Sequence, residues 1–197
     1  MAGVRVRKFA GSEISQYIDD LAALRIEVFR SFPYLYDGNQ EYEKKYLSTY
    51  TQARGSAVIL ALEHEEVVGA STCIPLSEET EDIRKAFFHT EYPIEEIMYF
   101  GESVLKADYR GRGIGVEFFR HREGHAHQHK KKYAAFCAVQ RPDDHPLKPA
   151  GYKPLDAFWK KRGYTPLPRI KTEMRWKDID QDQESTKSFM FWIKELS

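Results

Sequence analysis

The stretch Arg110-Gly111-Arg112-Gly113-Ile114-Gly115 lies between an apolar segment, residues 98–105, and a long segment with helical spacing that runs to about residue 132. Glycines let a backbone come close to a ligand and present its N–H groups. The first turn of a helix also leaves N–H groups unpaired and carries a partial positive charge. Because the two arginines add fork-shaped donors, the stretch predicts an anion site that suits a diphosphate.

Two other glycine-rich phosphate sites do not fit this stretch. A Walker loop requires Gly-Lys-Ser/Thr after four spacer residues, whereas the chain continues Gly115-Val116-Glu117. A dinucleotide-binding turn requires a third glycine where Val116 stands and follows the first strand of its fold. This turn instead follows the fourth predicted strand. The remaining alternative is a strand–helix connection with exposed arginines and no ligand.

Strand and helix patterns alternate around the turn. Residues 4–9 alternate apolar and polar side chains, and Gly101 indicates a bulge or a close backbone approach. The predicted elements in chain order are strand 4–9, helix 14–29 with Ser12 as its cap, helix 40–52, strands 56–62 and 66–74, a charged helical segment 78–90, strand 98–105, a helix from the turn to about 132, strand 133–139, helix 155–162, and strands 170–176 and 188–196. We predict one mixed α/β domain over residues 1–197, without repeats or a linker.

The composition argues against several classes of protein. The 197 residues include 30 basic and 30 acidic side chains, and a formal net charge of zero is unusual for a dedicated nucleic-acid binder. No segment approaches the roughly 20 apolar residues of a membrane span, and the N-terminus lacks the apolar region of a signal peptide. Cys73 and Cys137 have no CxxC spacing, which indicates small buried hydrophobes in a reducing compartment. We expect a cytoplasmic protein without nucleic-acid or membrane partners.

Three motifs in order resemble those of the GNAT superfamily of acyl-CoA-dependent N-acyltransferases. The family signature Arg/Gln-x-x-Gly-x-Gly/Ala is filled by Arg110, Gly113 and Gly115. Residues 105–109, Leu-Lys-Ala-Asp-Tyr, are similar to the Val-x-Pro-x-Tyr segment before it, with alanine in place of proline. Residues 158–164, Phe-Trp-Lys-Lys-Arg-Gly-Tyr, resemble the later Phe-Tyr-x-x-x-Gly-Phe segment. The order of predicted elements agrees along nearly the whole chain.

The resemblance implies a fold and a donor. The fold is a single domain with a central mixed, largely antiparallel twisted sheet flanked by helices, in which the two central strands splay apart. Acetyl-CoA would be the co-substrate, with its pantetheine between those strands and paired with backbone near Val104 and Leu105. The pyrophosphate would lie on the turn, which comprises Arg110, Gly111, Arg112, Gly113, Ile114 and Gly115. Trp159 would also belong to the donor site, since its indole N–H can donate a hydrogen bond.

Transfer to an amine requires a base, because a lysine-type ammonium with a pKa near ~10.4 is not nucleophilic. Glu102 is the first candidate, because it lies on the central strand a few residues before the turn. The alternative is a partly buried glutamate in an ion-pair network. Glu95 and Glu96 lie earlier in the same stretch and are the second candidates. Backbone N–H groups near Leu105 would stabilise the oxyanion.

The proton donor to the leaving thiolate is where the family pattern breaks. Trp159 stands where many family members place a tyrosine, and an indole does not give up its proton in practice. Tyr152, in a Pro- and Gly-containing loop, and Tyr164 are the nearby phenols, and Tyr164 could equally be a packed aromatic. The thiolate could also leave with only a hydrogen bond or solvent to help it.

The acceptor site in this superfamily is commonly walled by the segment between the first two helices. Here that segment contains Phe32, Tyr34, Tyr36 and Asp37, and aromatic walls with a carboxylate suit an amine with apolar bulk. The same residues could instead cap the core or form a turn. We expect a small amine or amino acid derivative, with a peptide amine as the alternative. The apolar strand 188–196 offers surface for a homodimer contact or for the core.

Two further features have competing interpretations. His121, His125 and His129 fall four residues apart on the predicted helix, where they could bind a transition metal. Only Glu123 could complete a ligand shell, so we expect a solvated basic helix and no metal. The loop 141–146 either gates the cleft or only turns the chain. The functional alternative to an N-acetyltransferase is an acyl-CoA-binding sensor or partner module with little turnover.

Overall fold

A computed structural model describes residues 3–197. One seven-stranded sheet runs through it, in the spatial order β1-β2-β3-β4-β5-β7-β6. The strands are β1 Arg5–Phe9, β2 Ala57–Glu63, β3 Glu66–Pro75, β4 Ile97–Leu105, β5 Tyr133–Val139, β6 Thr165–Trp176 and β7 Ser185–Glu195. Only β4 and β5 pair in parallel, and every other neighbouring pair is antiparallel.

Helices flank both faces of the sheet. They are α1 Ile18–Phe29, α2 Gln40–Gln52, α3 Glu81–Arg84, α4 Ile114–Gln128 and α5 Asp156–Lys160. The Asn39 side chain caps α2 by accepting a 3.0 Å hydrogen bond from the Tyr42 amide, as a short polar side chain at an N-cap does. The predicted mixed α/β fold with a largely antiparallel sheet is confirmed. Within residues 3–197, none of the helices combines the length and the apolar character that a bilayer crossing requires.

Several predicted boundaries are wrong. The helix predicted from residue 14 begins as a 3-10 turn, Gly11–Tyr17, and Ser12 lies inside that turn instead of capping it. The charged segment predicted to be helical over residues 78–90 is continuously helical only over residues 81–87, where α3 runs into a 3-10 turn. β6 begins five residues before the predicted start, because its two prolines are tolerated: Pro166 lies on an edge strand opposite Trp192, and Pro168 lies where the β6–β7 register shifts between Leu167 and Lys171.

The central strands part soon after they meet. β4 and β5 pair only at Ile97–Tyr133, Met98–Ala134 and Tyr99–Ala135. Beyond these pairs β5 continues with β7 up to Val139, and β4 continues with β3 up to Leu105. The two strands therefore diverge toward their carboxyl ends, as the predicted splay requires. The gap lies between residues 100–105 and residues 136–139.

Two hydrophobic clusters cover the two faces of the sheet. One contains Leu21, Leu47 and Tyr99 and packs beneath α1 and α2, whereas the other contains Phe119 and Phe136 and packs beneath α4. Both cysteines are buried and free, as predicted for small hydrophobes. The site described next lies where the gap between β4 and β5 meets the cluster beneath α1 and α2.

Candidate active site

The glycine turn presents its amides outward at the start of α4. Gly111 and Gly113 have φ angles of 75° and 85°, a left-handed conformation that glycine adopts without strain. The amide of Val116 bonds back to the Gly113 carbonyl at 2.9 Å. Among residues 3–197, no carbonyl accepts from the amides of residues 111–115. These free donors at a helix N-terminus form the geometry that binds anions.

Two exposed arginines flank the turn. Arg110 donates from Nε to the Leu105 carbonyl at 3.2 Å, and Arg112 lies 5.0 Å from the centre of the Tyr109 ring. Within residues 3–197 neither guanidinium has a carboxylate within salt-bridge distance. Their charge is therefore available to an anion on the turn, which satisfies the requirement for a pyrophosphate.

A β-bulge in β4 determines where the Glu102 side chain lies. Between the pairs Ser71–Ser103 and Cys73–Phe100, β4 contains one residue more than β3. The Glu102 amide donates to Thr72 Oγ1 at 3.2 Å, as a bulge leaves the regular ladder. This irregularity places Glu102 on the face beneath α1, although Phe100 faces α4.

The Glu102 carboxylate is buried against Arg25. Its Oε2 lies 2.7 Å from Arg25 Nη1, and the same guanidinium also pairs with Glu43 of α2. The side chains of Glu102 and Glu43 are only 4% and 1% exposed, so both charges are shielded from water. Within the described chain neither carboxylate oxygen of Glu102 has a hydrogen bond of good geometry. Glu102 is thus held by one ion pair and keeps acceptor capacity.

Phenol, thiol and carboxyl groups surround this ion pair. Tyr99 Oη lies 3.2 Å from Cys137 Sγ across the last paired positions of β4 and β5, and Tyr46 Oη lies 3.2 Å from Tyr50 Oη. Burial and the neighbouring Cys137 raise the pKa of Tyr99 well above its usual value. Burial likewise raises the pKa of the Cys137 thiol to about 12, so this cysteine is not an activated nucleophile.

The two tyrosines proposed as proton donors lie in different places. Tyr152 is partly buried, and its ring meets Phe32 edge-on at 4.7 Å between centroids. Tyr164 is 1% exposed in the cluster beneath α4 and donates to Glu123 Oε1 at 2.9 Å. Burial and then Glu123 raise the pKa of Tyr164. The structure brings Tyr152, not Tyr164, toward the face on which Glu102 lies.

The other predicted catalytic and donor residues lie in three different places. Trp159 packs against Phe136 and Trp192, each at 5.1 Å between ring centroids, on the α4 face. Glu95 and Glu96 are exposed in the short turn before β4, at the end opposite the gap. Val104 and Leu105 both lie in the half of β4 that no longer pairs with β5.

The predicted acceptor residues form one loop over the ion pair. Tyr34 packs its ring on Phe29 at 4.4 Å, and burial, followed by the nearby Cys137, raises the pKa of its hydroxyl. Tyr36 meets Trp176 edge-on at 6.3 Å, and burial with the adjacent Glu43 raises its pKa. Phe32 lies at the rim beside Tyr152. Of these three predicted aromatic residues, Tyr34 and Tyr36 therefore reach the buried charges, whereas Phe32 does not.

Asp37 does not face the aromatic surface as a free carboxylate. It pairs with Lys177 at 2.6 Å and with Arg30 at 3.2 Å, and a hydrogen bond from Lys177 lowers its pKa. Its backbone amide donates to the Lys177 carbonyl at 3.0 Å. The loop is therefore tied through Asp37 to the end of β6, which suits an anchoring role.

Arg141 fastens the same loop from the other side. It donates to the carbonyls of Pro33 and Tyr34, both at 2.7 Å, and forms a two-point ion pair with Asp178. Burial alone would raise the pKa of Asp178, but Arg141 and Lys187 together lower it below its usual value. Arg141, the first residue of loop 141–146, therefore holds the aromatic loop in place, a role that neither interpretation of loop 141–146 included.

The histidines of α4 do not form a metal site. His125 is buried, and its Nε2 lies 3.0 Å from the Gly55 carbonyl, while burial lowers its pKa to about 4. Across residues 3–197, no group of three or more His, Cys, Asp or Glu residues is arranged to hold a metal ion. The predicted solvated face is only partly correct, because His125 packs inward against β2 and its neighbours.

Sequence patterns missed three residues of this site. Arg25 lies on the apolar stripe of α1, four residues after Leu21, and a lone arginine in such a stripe is a usable signal for a buried charge partner. The other two are Arg141 and Glu79, a buried glutamate after the end of β3 that couples electrostatically to Glu102. They have no comparable signal, because each lies in a loop or a charged run whose partners come from distant segments.

Comparison with known proteins rests on structure alone, since no protein-family model and no curated protein matches the sequence. A GNAT-family acetyltransferase from Staphylococcus aureus aligns with a TM-score of 0.58 and 12% identity, covering 98% of this chain and 100% of that one. A ribosomal-protein-alanine N-acetyltransferase from Brucella melitensis aligns at 0.63 and 14%, covering 98% and 99%. An acetyltransferase from Streptococcus agalactiae aligns at 0.61 and 15%, covering both chains completely.

These alignments extend over the whole sheet and include the gap between β4 and β5 and the turn that follows β4. Their identities are too low to transfer a substrate or a residue role. They agree with the family expected from the motifs around residues 105–115 and 158–164. The chain therefore has the fold of the GNAT acetyltransferases.

Proposed function

We propose that this protein transfers an acyl group from acyl-CoA, with acetyl-CoA as the expected donor, to a primary amine. The observation that supports this most is the continuity of three features. The unpaired half of β4 borders the gap and leads along the chain into the turn with the free amides of residues 111–115, and the buried Glu102 lies on that half of the strand. A phosphate site, an extended slot and a shielded carboxylate are what such a transfer requires.

The residues of this chain fit the donor in two places. The outward amides and Arg110 and Arg112 would hold the pyrophosphate by charge-assisted hydrogen bonds. The unpaired half of β4 would take the pantetheine as an additional strand, since its edge toward β5 is free of strand pairing over the described residues. Glycine is required at position 101 of the bulge, because a Cβ there would overlap the Tyr50 hydroxyl and Thr72 Oγ1.

The chemistry is a direct transfer within a ternary complex. Glu102 accepts a proton from the attacking nitrogen as the C–N bond forms and the thioester C–S bond breaks. The thiolate leaves with a proton or a hydrogen bond from Tyr152, whose pKa burial and Asp156 raise and which therefore holds its proton at neutral pH. A covalent intermediate on Cys137 is disfavoured by the protonated state of its buried thiol.

The test is a thiol-release screen of primary amines with acetyl-CoA, run with the wild-type protein beside Glu102→Gln. We expect amine-dependent CoA release that falls by about 100-fold or more in the variant, as loss of a general base does. Calorimetry with acetyl-CoA should show donor binding unchanged by the substitution. Equal turnover in both proteins would contradict the role of Glu102.

The second candidate function is an acyl-CoA-binding sensor or partner module. Two observations favour it, namely the packed Trp159 where many family members have a tyrosine, and the Arg25 ion pair that engages Glu102. The same screen separates the two functions. Tight acetyl-CoA binding without thiol release from any amine would support the sensor and contradict the transferase.

A further inference from the structure

Glu79 is a buried carboxylate outside the glycine turn and the β4 bulge. It follows the short turn Leu76–Glu78, which extends β3 past the end of its pairing with β4. The residue is 4% exposed, and its Oε2 has no hydrogen-bond partner among the described residues. Burying a polar oxygen without a partner is costly, so such an atom indicates a missing ligand.

Glu79 lies in the same charge cluster as Glu102. Burial, followed by the Glu102 carboxylate, raises the pKa of Glu79 to about 7, while the Thr80 amide, Arg25 and Arg84 oppose that shift. Arg84, on α3, uses Nη1 to donate to the Ser77 carbonyl at 3.3 Å. Glu79 and Glu102 are both buried, and each has at least one carboxylate oxygen that accepts no hydrogen bond within the described residues.

The charged groups of this cluster come from several elements. The carboxylates are Glu43 from α2, Glu79 from the β3–β4 connection and Glu102 from β4, and the cations that couple to them are Arg25 from α1, Arg84 from α3 and Arg122 from α4, whose Nη1 lies 3.4 Å from the Glu102 carbonyl oxygen. The phenols and the thiol that face the cluster are neutral at pH 7, because burial raises their pKa values; they are Tyr34, Tyr36, Tyr46, Tyr50, Tyr99 and Cys137. Despite these neighbours, Glu79 Oε2 and Glu102 Oε1 accept no hydrogen bond within the described residues, so both oxygens are open to a donor from a ligand.

We propose that Glu79 and Glu102 together form the subsite for the acceptor's ammonium group, and that Glu79 takes the first proton from it. This inference rests on the proposed acyl transfer. The ammonium R–NH₃⁺ gives a proton to the Glu79 carboxylate and becomes R–NH₂. The free amine then attacks the thioester, and Glu102 accepts the second proton as the C–N bond forms.

The subsite narrows the acceptor class. A bound ammonium offers three N–H donors and a positive charge to the unpartnered oxygens of both carboxylates, whereas an alcohol offers one donor and no charge. The acceptor is thus an aliphatic primary amine that is protonated at neutral pH. Tyr34 lies between this cluster and Tyr152, so the apolar part of the amine would extend along the aromatic loop.

Glu79→Gln tests the inference, with Glu81→Gln as the matched control because Glu81 is an exposed carboxylate two residues away. Thiol release from acetyl-CoA is measured with n-butylamine, 2-phenylethylamine and L-leucinamide at pH 7 and pH 10. For Glu79→Gln we expect kcat/KM to fall about 100-fold at pH 7, as for loss of a base, and less than about 10-fold at pH 10, where much of the amine is already deprotonated. The control should stay within about twofold of wild type at both pH values.

Amine binding is measured separately, as the rise in Tm that each of the three amines produces in protein saturated with CoA. A rise in wild type and Glu81→Gln, but not in Glu79→Gln, supports the subsite even if no thiol is released, in which case only the proposed transfer fails. Equal Tm shifts in Glu79→Gln and wild type would overturn the inference. An equal loss of kcat/KM at pH 7 and pH 10 would also overturn it.

Discussion

Glu102 owes its position to a single extra residue in β4. Without the bulge opposite Thr72, strict alternation would place Glu102 on the side of Phe100, beneath α4 and away from Arg25. Gly101 permits the bulge, because the Tyr50 hydroxyl and Thr72 Oγ1 occupy the space where a Cβ would lie. The bulge therefore connects a glycine in the sequence to the orientation of the proposed base.

We expect Gly101→Ala to destabilise the protein by about 1–3 kcal/mol, since overpacking against the Tyr50 and Thr72 side chains costs this much. The control is Gly124→Ala in α4, where an added Cβ meets nothing within 4 Å and should stabilise the helix by about 0.5–1 kcal/mol. Urea denaturation measures both. A stabilising Gly101→Ala would show that the bulge does not require glycine.

Because its pKa is raised in the fold, Glu79 should make the stability of the protein fall as the pH rises. Its carboxyl has an ordinary pKa of 4.5 in the unfolded chain and a pKa of about 7 in the fold. Below pH 4.5 both states are protonated and the group has no effect. Between these values the unfolded chain releases its proton first, so the fold loses stability as pH rises, and the loss is complete above pH 7.

Replacing Glu79 by glutamine removes that loss. Glu79→Gln should match wild type near pH 4 and exceed it in free energy of unfolding by up to about 3 kcal/mol at pH 8, at 1.36 kcal/mol per unit of pKa. Denaturation curves at both pH values make the measurement. A stability difference that does not change with pH would contradict a raised pKa at Glu79.

Replacing the two candidate tyrosines should have different effects on turnover. Tyr152→Phe should lower kcat by about 10-fold or more with acetyl-CoA affinity unchanged, because the leaving thiolate loses its proton donor. Tyr164→Phe should leave kcat nearly intact and cost about 1–3 kcal/mol of stability, since Glu123 loses a buried hydrogen bond. Steady-state kinetics and urea denaturation of both variants provide the comparison. Full activity of both would exclude a tyrosine acid.

The aromatic loop between α1 and α2 is an element in its own right, and Arg141 holds it. The guanidinium joins two loop carbonyls to Asp178, which lies in the β6–β7 connection. A second attachment runs from Asp37 to Lys177. Two attachments to the same part of the sheet fix the position of Tyr34 above the buried charges, so the loop forms a preorganised wall.

We expect Arg141→Ala to destabilise the protein by about 3 kcal/mol, because it leaves buried carbonyls and Asp178 short of partners. It should also raise KM for the amine more than KM for acetyl-CoA, since the loop faces the acceptor side. Lys85→Ala is the control, because it removes an exposed pair with Asp82 and should cost on the order of 0.5 kcal/mol or less. Equal stabilities of the two variants would contradict the anchoring role.

Element types were largely predictable from sequence, whereas the contacts between distant elements were not. The helical spacing of aromatic and apolar residues gave α2 at residues 40–52, and an uninterrupted apolar run gave β5 at residues 133–139. The prediction of one helix over residues 78–90 was only partly correct, since charge alone does not distinguish an α-helix from 3-10 turns. Arg141 also escaped prediction, because its partners lie 107 and 37 residues away.

At the scale of the whole molecule, the main feature of the sheet is the place where β4 and β5 separate. The parallel contact between β4 and β5 lasts three residues, and the antiparallel neighbours on each side hold the strands apart from there on. The order of predicted elements was enough to anticipate this gap through the family resemblance. Glu102 was a candidate from the sequence, but its buried ion pair with Arg25, which also pairs with Glu43, became apparent only from the assembled fold.

The central claim is that the turn at residues 110–115 and the gap beside β4 bind acyl-CoA. Calorimetry of acetyl-CoA with wild type and with the double variant Arg110→Ala/Arg112→Ala tests it most directly. We expect one binding site per chain in wild type, and an affinity at least about 10-fold lower in the double variant, as loss of two charge-assisted phosphate contacts predicts. Absence of binding to wild type, or equal affinity in both proteins, would contradict the claim.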